Sequence, residues 1–192
     1  MAGERVFLTG ASSGIGAALA RHYAARGATL GLVARREDVL NALARELPGS
    51  HHLYVADVAD AGALRAAGED FIARAGTPDI VIANAGISVG TLTGEREDIP
   101  AFRKVFETNV LGMVHTFHPF VEAMKRAGAG RLVGIASVAG IRGLPGAGAY
   151  AASKAAAISY LESLRVELRG SGVCVVTLAP GYVETPMTAV NP

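Results

Sequence analysis

A tyrosine and a lysine four residues apart are the first side chains in this sequence that could do chemistry. Tyr150 and Lys154 lie in the stretch AYAASKAAAISY, whose other residues are mostly small and apolar. Residues at positions i and i+4 share one helix face, so the ammonium can approach the phenol. A free phenol has a pKa of about 10, and a nearby cation makes it a better proton donor near neutral pH. The pair is a candidate acid–base site, although a packed tyrosine beside a lysine that reaches to water has the same spacing.

A serine at the end of a predicted strand could act on the same substrate. Ser137 closes the run RLVGIAS at 131–137. Its hydroxyl could donate a hydrogen bond to an oxygen that gains negative charge during a reaction. A serine in this position can also bond to its own loop, which is the alternative interpretation.

A glycine-rich turn near the N-terminus favours dinucleotide binding. The segment TGASSGIG at 9–16 follows a predicted strand and precedes a predicted helix. Glycines there permit a tight turn, close approach of backbone N–H groups to a pyrophosphate, and close packing of the helix. A purely structural turn is the other possibility. The candidate contacts are Gly10, Ser12, Ser13, Gly14, Ile15 and Gly16.

Short apolar runs alternate with helical patterns along the chain. Strands are predicted at 5–9, 28–34, 51–56, 79–84, 131–137 and 173–179, and helices near 15–26, 36–47, 60–75, 98–127 and 149–169. Parallel strands need crossovers of about a dozen residues, which these helices supply. The pattern predicts one domain spanning 1–192, a doubly wound (Rossmann-like) α/β fold whose parallel sheet carries helices on both faces. Ligands of such sheets bind beyond the carboxyl ends of the strands, where the motifs lie.

Composition and charge argue against several other classes of protein. The 192 residues are 51% hydrophobic with a formal net charge of +1, and acids and bases are interspersed. Neither nucleic acid nor an anionic membrane surface is an expected partner. No apolar run reaches the roughly 18 residues of a membrane span, and no signal peptide is evident, so we expect a cytoplasmic protein with a small-molecule partner.

The cysteine and two histidines give no sign of a metal site. Cys174, the only cysteine, lies in the apolar run VCVVTLAP and is expected to be a core thiol. His115 and His118 are one helical turn apart but lack an evident third ligand, so we expect helix packing and no metal.

Seven short motifs, in order, resemble those of the short-chain dehydrogenase/reductase family. They are TGASSGIG at 9–16, DV at 57–58, NAG at 84–86, TNV at 108–110, IAS at 135–137, YAASK at 150–154 and PGYVET at 180–185. The resemblance implies that Tyr150 exchanges a proton with the substrate oxygen while hydride moves to or from a nicotinamide. Lys154 and Ser137 would assist. By the same resemblance, Asn109 distorts its helix and holds a water that joins the lysine to solvent.

The resemblance also implies a set of cofactor contacts. Asp57, beside Val58, would accept a hydrogen bond from the adenine amino group. The strand-end segment that follows the fourth strand would lie along the ribose and phosphates, and the PGYVET segment would cover the nicotinamide carboxamide. The residues concerned, besides Tyr150 and Lys154, are Asn84, Ala85, Gly86, Pro180, Gly181, Val183 and Thr185.

The residues after the second strand bear on the choice of cofactor. An acid there favours NAD, whereas an arginine accommodates the 2′-phosphate of NADP. Ala34 stands at the acidic position, and Arg35 and Arg36 follow it. We therefore expect NADP(H), with Arg35 as the main contact, although two solvated arginines at a helix start are the alternative. Ser13 departs from many NADP-preferring relatives, which have a second basic residue in the glycine loop.

The end of the sequence departs from the family pattern. Family members usually continue past PGYVET with a substrate lid, a helix and a seventh strand, whereas this chain stops at TAVNP. The lid and the last strand are therefore expected to be absent or to lie beyond the residues given. The remaining pocket segments, 87–90, 137–146 and 182–187, are small and apolar with one Arg142, which indicates a modestly hydrophobic carbonyl or alcohol.

These observations predict an NADP(H)-dependent oxidoreductase that interconverts a secondary alcohol and a carbonyl. A nucleotide-binding regulatory or scaffold protein without turnover remains the alternative, and a sugar-nucleotide epimerase is disfavoured by chain size and glycine spacing. The helices at 98–127 and 149–169 are expected to pair in a homodimer or homotetramer. The second of them presents small residues at Ala151, Ala155, Ala156, Ser159 and Ser163.

Overall fold

The computed structural model describes residues 3–189 and contains a six-stranded parallel sheet. The strands β1 to β6 are Arg5–Thr9, Thr29–Ala34, His52–Val55, Ile80–Ala83, Gly130–Ile135 and Val173–Leu178. Their spatial order is β3-β2-β1-β4-β5-β6, so the winding direction reverses between β1 and β4. A reversal of this kind opens a crevice where such sheets bind ligands. The predicted doubly wound α/β fold is confirmed.

Helices cover both faces of the sheet. They are α1 Gly14–Ala25, α2 Glu37–Glu46, α3 Ala61–Ala75, α4 Ile99–Phe106, α5 Gly112–Ala127 and α6 Gly148–Glu167. Successive residues of β1 serve different cores, because side chains alternate along a strand. Val6 and Leu8 pack with α1 and α2, whereas Phe7 packs with α3, α5 and α6.

The helix predicted over 98–127 is interrupted. Between α4 and α5 lies a π turn, Glu107–Leu111. Its backbone hydrogen bonds span five residues, whereas those of an α-helix span four. The apolar periodicity runs on through this segment and does not reveal the interruption, whereas the family resemblance implied a distortion at Asn109. The π turn contains Asn109, and its position is important for the site.

The expectation that Cys174 is a core thiol is wrong, because the side chain is exposed. β6 is an edge strand of the described sheet, and its residues alternate between two faces. Val173 and Val175 are buried in the core under α6. Cys174 lies between them and faces the opposite way, where an edge strand has less cover.

The two ends of the sequence are described only in part. Residues 1–2 and 190–192 lie outside the described range, and so does the last part of the ending TAVNP. Across the described part of the chain, no helix combines the length and the apolar character that crossing a membrane requires.

Candidate active site

A cleft opens beyond the carboxyl ends of the central strands and brings together almost all of the predicted site residues. It is bounded by the loop before α1, the ends of β2 to β5, the first turns of α6 and the segment 180–188. The predicted residues that line it are Gly10, Ser12, Ser13, Gly14, Ile15, Arg35, Arg36, Asp57, Val58, Asn84, Ala85, Gly86, Ser137, Tyr150, Lys154, Pro180, Gly181, Val183 and Thr185. Gly16 and Asn109 are the predicted residues that do not line it.

The glycine loop has the conformation that its sequence suggests. Gly10 and Gly14 have φ values of 68° and 52°, in the left-handed region that glycine tolerates best. A Cβ on Gly16 would lie 2.1 Å from the carbonyl oxygen of Gly10. Gly16 therefore lets α1 pack tightly against the loop, a role in packing and not in direct contact with a ligand.

The start of α1 is suited to an anion. Ser13 is the N-cap residue but makes no side-chain capping bond, and the first turn contains no acidic residue. Backbone N–H groups at such an end have no partner within the helix, and the helix dipole is positive there. Since Ser13, Gly14 and Ile15 line the cleft, a pyrophosphate can bind these groups.

Two arginines flank the adenosine side of the cleft. The Nη1 atom of Arg35 lies 3.6 Å from Oδ2 of Asp57, and both side chains are substantially exposed. Arg36 donates a long hydrogen bond of 3.5 Å from Nη2 to the Ser12 hydroxyl. Exposed ion pairs contribute little, so both guanidinium groups are free to turn toward a bound anion. Arg36 thus brings to the glycine loop the positive charge that Ser13 does not supply.

Asn84 fastens the end of β4 to the glycine loop. Its Nδ2 donates to the carbonyl oxygens of Thr9 and Gly10, at 3.1 and 3.2 Å. Its backbone N–H donates to Oγ1 of Thr9, which is fully buried. Thr9 had no assigned role in the sequence, where its one signal is a hydroxyl at the end of an apolar strand.

Asn109 joins the loop after β4 to α6. Its Oδ1 accepts from the backbone N–H of Ile87 at 2.8 Å, and its Nδ2 donates to the carbonyl of Ile87 and to the Ser153 hydroxyl, each at 2.9 Å. The π turn places this buried side chain where it reaches both partners. The helix is therefore distorted at Asn109, as the family resemblance implied, whereas the water link to Lys154 stays a prediction.

Ser153 completes this connection and was missed by sequence reasoning. It is fully buried, and its Oγ donates to the carbonyl oxygen of Tyr150 at 2.7 Å while accepting from Asn109. Hydrogen bonds therefore run from Ile87 through Asn109 and Ser153 to the backbone of Tyr150. The available signal was a polar residue inside YAASK whose partner is distant in sequence.

Lys154 is buried beside Tyr150. The side chain of Lys154 is only 4% exposed, and Nζ donates to the carbonyl oxygen of Ile135 at 2.7 Å. Nζ lies 5.7 Å from the centre of the Tyr150 ring, within the range at which a cation and an aromatic ring interact. Burial lowers the pKa of Lys154 to about 8. The ammonium is still mostly charged at neutral pH and faces a neutral carbonyl.

Ser137 bonds to its own loop and keeps its hydroxyl hydrogen available. It is mostly buried, two residues beyond β5, and its Oγ accepts from the backbone N–H of Ala139 at 3.2 Å. This bond to its own loop uses a lone pair of the oxygen. The hydroxyl hydrogen remains able to donate to a ligand in the cleft, since a hydroxyl both donates and accepts.

His115 has a structural contact in the cleft wall. Its Nδ1 lies 2.9 Å from the carbonyl oxygen of Val58, so the ring supports the loop after β3. Among residues 3–189, no group of three or more His, Cys, Asp or Glu side chains is arranged to hold a metal ion.

The chain is similar in sequence and in structure to known dehydrogenases and oxidoreductases. A sequence model described as short chain dehydrogenase matches residues 4–192. An oxidoreductase of Myxococcus xanthus is 39% identical over the whole chain and 76% of its own length. A 2-dehydro-3-deoxy-L-rhamnonate dehydrogenase (NAD(+)) of Sphingomonas sp. is 37% identical, over 97% of this chain and 74% of that protein. The crystal structure of a short-chain dehydrogenase from Streptomyces avermitilis matches with a TM-score of 0.89 at 31% identity, over 97% of this chain and 68% of that one.

Proposed function

The chain belongs to the short-chain dehydrogenase family and is an oxidoreductase of CH–OH groups that uses a nicotinamide cofactor; we propose that it works with NADP(H), using Tyr150 as its acid and base. The substrates are a secondary alcohol and the corresponding carbonyl compound. The proposal is carried by one observation: a dinucleotide-type glycine loop shares a single cleft with Ser137, Tyr150 and Lys154.

The residues of the cleft fit a dinucleotide. The uncapped start of α1 would bind the pyrophosphate, and Asp57 would accept a hydrogen bond from the adenine amino group. By the family resemblance, Gly86 would lie along the ribose side; a Cβ there would lie 3.2 Å from Asn109 Oδ1 and 3.6 Å from Lys154 Nζ, so a larger residue would crowd both side chains. When bound, the cofactor supplies hydride to the carbonyl carbon or accepts it from the alcohol carbon.

Tyr150 would move the proton that balances the hydride. In reduction its hydroxyl donates a proton to the carbonyl oxygen, so that hydride and proton together convert the carbonyl to an alcohol. In oxidation the phenolate takes the proton back. Ser137 would donate a hydrogen bond to the same oxygen, and the buried charge of Lys154 would favour the phenolate.

Substitution of Tyr150 tests this assignment. Tyr150→Phe removes the hydroxyl alone, so carbonyl reduction should fall by about 10² to 10⁴ while NADPH binding is retained. Tyr160→Phe is the matched control, because Tyr160 lies on the same helix but packs against the core. A Tyr150→Phe enzyme with most of its activity would place the proton donor elsewhere. Cofactor binding by the unmutated chain without reduction of any carbonyl would favour the regulatory alternative.

The preference for NADP rests on the positive charge at the end of β2. A 2′-phosphate beside Arg35 would gain a charge-assisted hydrogen bond of about 1.5–3 kcal/mol, or roughly 10 to 150-fold in affinity. The Sphingomonas relative is named for NAD(+), which makes a direct comparison necessary. Fluorescence titration should show tighter binding of NADPH than NADH at low salt. Arg35→Ala should remove much of that gap, and Ala34→Asp should go further by repelling the phosphate. Equal affinities in the unmutated protein would contradict the assignment.

We also propose that the protein is a homodimer or homotetramer with α4, the π turn and α6 at its interface. Ile99 and Leu111 are 61% and 49% exposed, more than packed apolar side chains normally are. On α6, Ala155 and Ser159 are exposed and small enough for close helix approach, whereas Ala151 is buried and takes no part in this surface.

A further inference from the structure

Thr91 is the only buried residue between positions 88 and 100. Its side chain is 4% exposed, whereas two apolar neighbours, Val89 and Leu92, are 41% and 57% exposed. The loop therefore buries a hydroxyl and leaves larger apolar side chains in water. Burying a hydroxyl costs free energy unless it forms a hydrogen bond, so the contacts of Thr91 must account for its burial.

The contacts of Thr91 are all with the start of α6. Its backbone N–H donates to the carbonyl oxygen of Gly146 at 2.8 Å, and the residue pairs with Ala147 in a short parallel β-bridge. Its Oγ1 accepts a buried hydrogen bond from the backbone N–H of Ala149 at 3.1 Å. Both the backbone and the side chain of Thr91 are thus attached to the end of this helix.

The hydroxyl of Thr91 takes the part of a helix cap. The N-cap residue of α6 is Ala147, which makes no side-chain capping bond. A capping side chain normally accepts from the N–H of the second or third residue of the helix, and Ala149 is the second residue. Thr91 accepts that bond from a position 58 residues earlier in the chain. The helix is therefore capped by a distant loop in place of its own N-cap residue.

Tyr150 directly follows the residue that Thr91 caps. The far side of the same turn is also fastened, because Ser153 donates to the carbonyl oxygen of Tyr150 and accepts from Asn109. Asn109 in turn accepts from the N–H of Ile87, at the other end of the loop that contains Thr91. One loop after β4 thus holds the first turn of α6 at two points, through Asn109 and through Thr91.

Resting on the proposed function, we propose that Thr91 is a positioning residue: its hydroxyl caps α6 and holds the turn that carries Tyr150 at the cleft. Thr91 does not line the cleft, so it acts through the helix and not on a ligand. Displacing a reacting group by about 1 Å can lower a rate by about 10²-fold. Loss of the hydroxyl should therefore slow the chemical step and leave cofactor affinity unchanged.

Two variants remove the hydroxyl, and a third keeps it. Thr91→Val preserves the shape of the side chain, and Thr91→Ala removes the hydroxyl without placing a methyl group against the helix. Each should lower the single-turnover rate of cyclohexanone reduction, expressed per bound NADPH, by about tenfold, with an unchanged Kd for NADPH. Thr91→Ser keeps the hydroxyl and should stay within about twofold of the unmutated protein.

The rate per bound NADPH separates positioning from a loss of folded protein, which would lower the number of binding sites and not the rate at each site. Thr116→Val is the matched control. Thr116 is 1% exposed, and its hydroxyl donates to the carbonyl oxygen of Gly112 within α5. This control should leave the rate unchanged. An unchanged rate without the Thr91 hydroxyl, an equal loss in Thr91→Ser, or the same loss in Thr116→Val overturns the proposal.

Hydrogen–deuterium exchange tests the cap without any substrate. In peptides that span the first turn of α6, the amide of Ala149 should exchange about tenfold faster in Thr91→Val than in the unmutated protein or in Thr91→Ser. If the unmutated protein reduces no ketone, the proposed function is refuted. The exchange measurement then still decides whether Thr91 holds this turn, because equal exchange in Thr91→Val and the unmutated protein overturns the cap.

Discussion

Replacing Lys154 by methionine should reveal how much the buried ammonium destabilises the fold. Lys154 is 4% exposed and donates to a neutral carbonyl, and burial lowers its pKa from 10.5 to about 8. This lowering of the pKa means that the buried charged lysine destabilises the folded state by about 3 kcal/mol. Methionine is similar in length and carries no proton, so it removes this dependence on pH.

The sign of the effect follows from proton binding. Below about pH 8 the lysine is protonated in both states, and the full cost is present. Between about pH 8 and 10.5 the unfolded chain holds a proton that the folded protein has released, so stability rises with pH. The unfolding free energy of the unmutated protein minus that of Lys154→Met should be flat below this window. It should rise by about 3 kcal/mol across it.

Urea unfolding followed by circular dichroism from pH 7 to 10.5 makes the measurement. Methionine also leaves the Ile135 carbonyl without its donor, but this changes the offset between the two curves and not their difference in slope. Lys104→Met is the control, because Lys104 is exposed and has no burial cost to relieve. Parallel curves for Lys154→Met and the unmutated protein would show that the ammonium is solvated, and the reasoning from its burial would be wrong.

Two further predictions concern the support of the site and the assembly. Ser153→Ala breaks the bonds that hold the backbone of Tyr150, so kcat should fall by about tenfold while KM for NADPH and the folded CD spectrum are retained. Ser159→Ala, a control exposed on the same helix, should leave kcat and KM unchanged. A Ser153→Ala enzyme with unchanged kcat would rule out this positioning role. Leu111→Glu places a charge in the proposed interface and should convert an oligomer to a monomer by light scattering at micromolar concentration; a monomeric unmutated protein would rule out the assembly.

Strands and cofactor loop were predictable because their signals are local. β1 was predicted at 5–9 and found there, since an apolar run ending in Thr-Gly marks both the strand and the turn that follows. The π turn was not predictable from the apolar periodicity, because its geometry accompanies the contact of Asn109 with Ile87, 22 residues away; only the family resemblance pointed to a distortion at Asn109. Cys174 was misjudged for a related reason: an apolar run does not reveal that its strand lies at an edge of the described sheet.

The partnership of Tyr150 and Lys154 shows both the reach and the limit of sequence spacing. Four-residue spacing correctly places both side chains on one face of α6, but it says nothing of β5, whose Ile135 carbonyl holds the ammonium. Nζ lies 5.7 Å from the centre of the Tyr150 ring, so the lysine stands beside the tyrosine but is held in place by the sheet and not by its helical neighbour.

The start of α6 is a second positive feature beside Tyr150. Tyr150 lies in the first turn of α6, which contains no acidic residue; of its N–H groups, that of Ala149 donates to Oγ1 of Thr91 at 3.1 Å. The positive end of a helix typically stabilises a nearby anion by about 0.3–1 kcal/mol, and by more where the site is partly buried. Negative charge that develops at the reacting oxygen would thus meet two positive sources that act from different directions, a lysine fixed by β5 and the N-terminus of α6. Because Ser153 bonds to the Tyr150 carbonyl and to Asn109, it holds that first turn in the place where both sources act.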